Sequence, residues 1–198
     1  MSSSVHVDGD RLLARLRALR AIGATPSGGV TREAFGPLDI QARTTVQQWL
    51  AASGADVTVD AATNLVARRP GRTDRWIATG SHLDTVIDGG WLDGAYGVVA
   101  AVEVIAALRD AGPLRHGLMA TAFANEEGAR GTDGMSGSRA VVGQVGAAEL
   151  QQLDDTGTTV AERLAGAGGD PAGLETARWP LDAIGAFVEL HVEQVVAP

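Results

Sequence analysis

The 198-residue chain contains no cysteine and no lysine. Without cysteine, the protein can form no disulfide, no thiol nucleophile and no cysteine-ligated zinc or iron–sulfur site. All 16 basic residues are therefore arginine, which excludes a Schiff-base lysine, a pyridoxal-phosphate lysine and a P-loop lysine. Any metal site has to draw on carboxylates and on the four histidines, which are His6, His82, His116 and His191.

Positive charge and long hydrophobic runs are also scarce. The net charge is −8 and the sequence pI is about 4.9, which disfavours nonspecific binding to nucleic acid or to an anionic membrane. The N-terminus lacks a signal-peptide pattern, and the apolar run 98–108 is broken by Glu103 and too short to span a bilayer. With 45% hydrophobic residues, the chain is expected to be one globular domain in the cytoplasm.

The pattern of hydrophobic residues predicts strands that alternate with helices. This alternation favours an α/β fold with a mixed, largely parallel sheet flanked by helices. Asp10 is expected to cap the first helix, and Ile40, Val46 and Leu50 are expected to face inward from the second. The predicted helices are 10–22, 38–53, 94–111, 138–145, 147–153 and 159–165, and the predicted strands are 57–60, 65–68, 76–79, 118–124 and 187–192.

Polar side chains follow the predicted strand 76–79. His82, Asp84 and Asp93 lie on the loop that leaves it, at the kind of strand end where open α/β sheets place their chemistry. Imidazole and carboxylate together suit zinc, and carboxylate also suits manganese. Asp84 can reach back to the second nitrogen of His82, and Gly94 allows a close backbone approach. The alternatives are a solvated loop pair and an aspartate that simply caps the next helix.

Two further polar groups strengthen this interpretation. Glu126 and Glu127 end an apolar strand, so that one could bind metal while the other acts as a general base. Alternation along the predicted strand 187–192 would place Glu189, His191 and Glu193 on one face. The alternatives are a solvated pair of strand-end charges and a satisfied core histidine.

Six separated motifs resemble those of one known family. The chain is similar to metal-dependent amidohydrolases of the M20 peptidase superfamily, in the branch of N-carbamoyl-L-amino-acid hydrolases, allantoate amidohydrolases and β-ureidopropionases. Several spaced motifs in the same order are more specific than any one alone. They occupy 22–32, 80–85, 92–98, 125–130, 137–140 and 189–194.

The resemblance implies hydrolysis of a non-peptide C–N bond in a small-molecule ureide by a water that bridges two divalent cations. Zinc is the first expectation for these cations, and manganese, cobalt or nickel are the alternatives. The resemblance implies that His82 and His191 are terminal metal ligands, that Asp93 bridges the two cations and that Glu127 binds the second one. It also implies that Glu126 is the general base, that Asp84 orients His82 and that Gln194 binds the substrate.

Members of the resembled family are longer homodimeric proteins. Residues 1–198 are therefore expected to form the N-terminal part of a catalytic domain, without the dimerisation domain and the C-terminal part. Two other functions stay open at this point. The chain could be a truncated, non-catalytic fragment with a partial metal site, or a peptidase of the same superfamily.

Overall fold

The computed structural model describes residues 5–192, and they contain a five-stranded mixed sheet. In chain order the strands are β1 (Asp56–Val59), β2 (Leu65–Arg69), β3 (Trp76–His82), β4 (Gly117–Phe123) and β5 (Ile184–Val188). Their order across the sheet is β1-β2-β4-β3-β5. The β1–β2 and β2–β4 pairs are antiparallel, whereas β3 pairs in parallel with β4 and β5. The predicted α/β class with a mixed sheet is confirmed.

Helices cover both faces of the sheet. The longer ones are α1 (Gly9–Ala21), α2 (Pro37–Ala52) and α3 (Ala95–Leu108), and their apolar sides form the main core with β2 and β4. A smaller core on the other face joins Val66, Ala78 and Met119 to Val141 and Trp179. The short helices are α4 (Ser136–Val141), α5 (Ala147–Leu150) and α6 (Val160–Gly166), with 3-10 turns at Ala129–Gly131, Pro171–Ala177 and Leu181–Ala183. Between residues 5 and 192, no helix is long and apolar enough to cross a membrane.

Two details of the predicted helices are wrong. Asp8 rather than Asp10 caps α1, because its carboxylate accepts the Arg11 backbone N–H at 2.9 Å. Ile40 is exposed instead of buried. The inward stripe of α2 is Asp39, Ala42, Val46 and Leu50, and Ile40 lies about 100° away from Asp39 around the helix.

The last predicted strand is also wrong in its extent. β5 ends at Val188, so that Glu189 and His191 lie beyond the sheet and alternation does not set their direction. The chain leaves the sheet to pass the first turn of α3, where the Leu190 carbonyl oxygen faces Gly97. A Cβ on Gly97 would lie 2.5 Å from that oxygen, so only glycine permits the approach.

The parallel pairing of β3 with β4 determines where the polar loops meet. His82 is in register with Phe123, so the carboxyl ends of the two strands lie side by side. The loop after β3 carries Asp84 and Asp93, and the loop after β4 carries Glu126 and Glu127. The sheet therefore brings two chain segments with polar side chains to one edge.

Candidate metal centre

His82 is the last residue of β3 and is almost fully buried. Its Nδ1 lies 3.0 Å from the backbone carbonyl oxygen of Asp84. A carbonyl can only accept a hydrogen bond, so Nδ1 carries the proton and the lone pair of Nε2 remains available to a cation. Gly94, with φ +59°, lies against the imidazole, and a Cβ there would come within 2.6 Å of two ring atoms. The expected close approach at Gly94 is thus present.

Asp84 makes a different contact from the one predicted. Its Oδ1 lies 3.9 Å from Nδ1 of His82, which is too far for a hydrogen bond, and the backbone carbonyl of Asp84 orients the ring instead. Its Oδ2 accepts the backbone N–H of Glu127 at 3.0 Å. The buried carboxylate of Asp84 therefore ties the loop after β3 to the loop after β4.

Asp93 and His191 meet beside His82. Oδ1 of Asp93 lies 3.2 Å from Nε2 of His191 and 4.0 Å from Nε2 of His82. The two imidazole rings have centroids 5.9 Å apart, on the same side of the sheet edge. Asp93 does not cap α3, since the N-cap position belongs to Gly94 and no side chain bonds there. The alternative of an ordinary capping aspartate is therefore wrong.

Glu126 and Glu127 sit on a loop with an unusual backbone. Asn125 has a positive φ of 48°, and its buried side chain donates to Oγ of Ser136 at 2.7 Å. The Glu126 carbonyl accepts the Met135 N–H, which closes the loop. This turn lets the carboxylates of both residues approach His82, although adjacent side chains would point to opposite sides in a regular strand. Oε2 of Glu126 lies 3.8 Å from Nε2 of His82.

Negative charge is crowded at this edge. Burial, a hydrogen bond to Asp93 and the charges of Asp93, Glu126 and Asp84 raise the pKa of Glu127 to about 8. Three buried oxygens here accept no hydrogen bond, namely Oδ1 of Asp84, Oδ1 of Asp93 and Oε1 of Glu127. Buried acceptors without partners are costly, and a divalent cation would satisfy them and offset their repulsion.

The side chains form two overlapping groups with the spacing of a metal site. Within each group, one nitrogen or oxygen atom per residue lies within 4.8 Å of the others. The groups are His82, Asp93 and His191, and His82, Glu126 and Glu127. A set of imidazoles and carboxylates fits zinc, manganese or a similar cation.

His116 lies away from this cluster. Nδ1 of His116 makes a 2.9 Å hydrogen bond with Oγ1 of Thr73, on a turn at the opposite end of β4. Gln194, predicted to contact substrate, lies outside the described residues, as does Glu193.

A cleft of about 320 Å³ opens beside the cluster. His82, Ser81, Glu126 and Glu189 line its polar end. The rest is mainly apolar, with Phe123, Val141, Trp179, Ile184 and Phe187 among its lining residues. Glu189 is held in place because Ser81 donates its hydroxyl to Oε1 at 2.5 Å.

The buried Arg32 and the largely enclosed Arg43 lie behind the cluster, and the sequence predicted a role for neither. Arg32 donates through Nε to the carbonyl of Leu83, between His82 and Asp84, and through Nη1 to the end of α1. Arg43 donates to the last carbonyls of β4. No sequence motif contains Arg43. Arg32 lies in the motif 22–32, but no role was predicted for it.

Comparison with known proteins identifies the family of this chain. The model of peptidase family M28 matches residues 64–170, more than half of the chain. The chain therefore belongs to this family. Its curated relatives are N-carbamoyl-L-amino-acid and allantoate amidohydrolases, which confirms the branch named by the sequence resemblance, although the matching model carries the M28 name and not M20.

Three examples show the extent of the similarity. The N-carbamoyl-L-amino acid amidohydrolase of Geobacillus stearothermophilus is 40% identical over 191 residues, 95% of this chain and 47% of the relative. The allantoate amidohydrolase of Escherichia coli K12 is 33% identical, over 89% of this chain and 43% of the relative. A hydantoinase/carbamoylase family amidase from Burkholderia ambifaria superposes with a TM-score of 0.87 at 38% identity, over 98% of this chain and 47% of that protein.

The chain thus spans about half the length of the curated relatives it matches. These relatives are amidohydrolases by name, and the described part of this chain contains a candidate metal-binding group.

Proposed function

We propose that this chain forms the metal-binding part of an amidohydrolase that cleaves a non-peptide C–N bond of N-carbamoyl-L-amino acids. Related ureides, such as allantoate and β-ureidopropionate, are the neighbouring substrate candidates. The observation that carries the proposal is the convergence of His82, Asp93, His191 and the Glu126–Glu127 pair at one sheet edge. The names of the relatives support the same chemistry. Residues 1–198 would be the N-terminal part of the catalytic domain of a complete protein that is a homodimer.

Two cations are proposed for this edge, with zinc first and manganese, cobalt or nickel as alternatives. His82, His191 and Asp93 would hold one ion, and Asp93 with Glu127 would hold the other. A bound cation supplies Lewis-acid polarisation of the scissile carbonyl and lowers the pKa of water. Among the described residues, the second ion has carboxylate ligands alone, so it is expected to bind this chain more weakly.

Glu126 is proposed as the general base. Its carboxylate is about one-third exposed and borders the cleft, where it can reach both water and substrate. It would take a proton from the attacking water and later deliver that proton to the leaving nitrogen. Glu127 is less suited to this role, because Asp84 holds its backbone and its Oε1 is buried.

A chimera tests the proposed function. The segment of the Geobacillus stearothermophilus relative that aligns with this chain would be replaced by this chain, and ammonia release would be measured with N-carbamoyl-L-amino acids, allantoate and peptides. We expect ureide hydrolysis and no peptide cleavage. A folded, metal-loaded chimera that cleaves peptides would favour the peptidase function that the family name suggests. One that acts on none of them would favour the non-catalytic alternative.

Metal binding by the 198-residue chain is expected to depend on His82. Calorimetric titration with zinc or manganese should detect about one tight ion. The His82→Ala variant should bind it more than about 100-fold more weakly, because even loss of an outer-shell partner costs 10–100-fold. His116→Ala is the control, since this histidine lies at the other end of β4. Equal affinity in the two variants would remove His82 from the ligand set.

A further inference from the structure

Arg43 projects from the buried side of α2 and is almost enclosed, with 11% of its side chain exposed. Nε donates to both carboxylate oxygens of Asp39, each at 3.1 Å. Nη1 donates to the carbonyls of Thr63 and Ala122 at 2.9 and 3.2 Å, and Nη2 to the carbonyl of Phe123 at 2.6 Å. One guanidinium therefore donates to three carbonyls, while the Asp39 carboxylate fixes its orientation through Nε.

These carbonyls belong to the segment that leads into the candidate site. Ala122 and Phe123 are the last two residues of β4, and Glu126 follows three residues later. The next backbone N–H, that of Ala124, donates to Oδ1 of Asn64 at 3.0 Å. Asn64 directly follows Thr63, whose carbonyl is the third acceptor of Arg43. The same guanidinium therefore binds the end of β4 and the segment that supplies Asn64 to it.

We propose that Arg43 is a positioning residue for the Glu126–Glu127 pair. It touches neither carboxylate and acts through the end of β4, where it sets the point from which the loop begins. This inference rests on the proposed function, because the pair has to bind metal for its position to matter. Lysine could not replace arginine here, since a single ammonium cannot span three carbonyls in a plane.

If Arg43 had a purely structural role, its replacement would lower stability without changing metal affinity. Arg69 offers a matched control for this distinction. Arg69 is also half-buried, and its two Nη groups donate to the carbonyls of Leu108, Arg109 and Gly112. These carbonyls lie at the C-terminal end of α3, away from the candidate site. Arg43 and Arg69 therefore hold three carbonyls each but differ in what those carbonyls support.

The test titrates the metal-free 198-residue chain with Co²⁺, followed by visible absorption and equilibrium dialysis. The variants are Arg43→Lys and Arg69→Lys, which both keep the charge, and Glu127→Gln, which removes the second-ion ligand. We expect Arg43→Lys to lower the affinity for the second Co²⁺ by about 10–100-fold and to change the absorption band of that ion. Glu127→Gln should have the same effects to a larger extent. Arg69→Lys should lose stability at most and bind both ions as the wild type does.

Each outcome has one meaning. If Arg43→Lys binds Co²⁺ as Arg69→Lys does, the positioning role is wrong while the proposed function stands. If the wild type binds no Co²⁺, or Glu127→Gln changes nothing, the proposed metal site itself is wrong. Asp39→Asn is measured in parallel, in case Arg43→Lys fails to fold. This variant leaves the arginine in place but removes the carboxylate charge that holds Nε. Its affinity for the second Co²⁺ should therefore fall too, and unchanged affinity would overturn the proposal.

Discussion

Replacing Glu126 by glutamine in the chimera is expected to reduce ureide turnover by about 10²–10⁴-fold, the usual contribution of a general base. Glutamine keeps the size of the side chain but cannot accept a proton from water. Metal content should stay the same, because the proposed ligands are His82, Asp93, Glu127 and His191. Steady-state ammonia release and metal analysis of the same preparation would measure the two quantities.

Glu189→Gln is the matched control for this experiment. Glu189 also borders the cleft, and its glutamine variant can still accept the Ser81 hydroxyl through Oε1. We expect the control to retain most of the turnover. A Glu126→Gln chimera with full turnover would contradict the proposed base, and an equal loss in the two variants would leave Glu126 without a special role.

Replacing Glu103 by alanine is expected to destabilise the fold by about 3–5 kcal/mol, the usual cost of breaking a buried ion pair from one side. Glu103 on α3 is fully buried and accepts hydrogen bonds from Arg11 and Arg15 of α1. Its removal would leave Arg15, whose side chain is only 13% exposed, without a carboxylate partner. Urea unfolding of the metal-free 198-residue chain would measure the loss.

The control uses the other carboxylate that pairs with Arg11. Asp8 lies 3.4 Å from the Arg11 guanidinium, at the exposed start of α1. Asp8→Asn removes this charge but keeps a side chain able to cap the helix, so its cost should be below about 1 kcal/mol, as for other surface pairs. A similar small loss for Glu103→Ala would show that water reaches the arginines once the carboxylate is gone.

Much of the fold could be predicted because its signals are local. Helix α3 lies within the predicted 94–111, and β2, β3 and β4 each overlap a predicted strand. The end of β5 could not be predicted, since Leu190 leaves the sheet to pass Gly97, which lies far away in the chain. The exposure of Ile40 was missed for a related reason: the stripe of α2 that faces inward includes the buried charge of Asp39.

The residues of the candidate site could also be predicted from local signals, but their long-range contacts could not. His82, Asp93, Glu126, Glu127 and His191 were named from motifs, because short motifs at strand ends are visible in one dimension. Their roles remain proposals. The contacts of Arg43 were invisible, since its carbonyl partners lie 20, 79 and 80 residues away in the chain.

The amino-acid sequence by itself determined which chemical groups this protein can use: carboxylates, imidazoles and arginines, without thiols or amines on side chains. It also determined the helix and strand periods, which depend on neighbours only a few residues apart. Only the tertiary structure decided which of these groups meet. It placed His191 beside Asp93, turned the Asp84 carboxylate from His82 to the Glu127 backbone, and put the Arg43 guanidinium behind the end of β4. Such contacts join distant segments, and their geometry depends on strand register and helix packing, which local patterns do not contain.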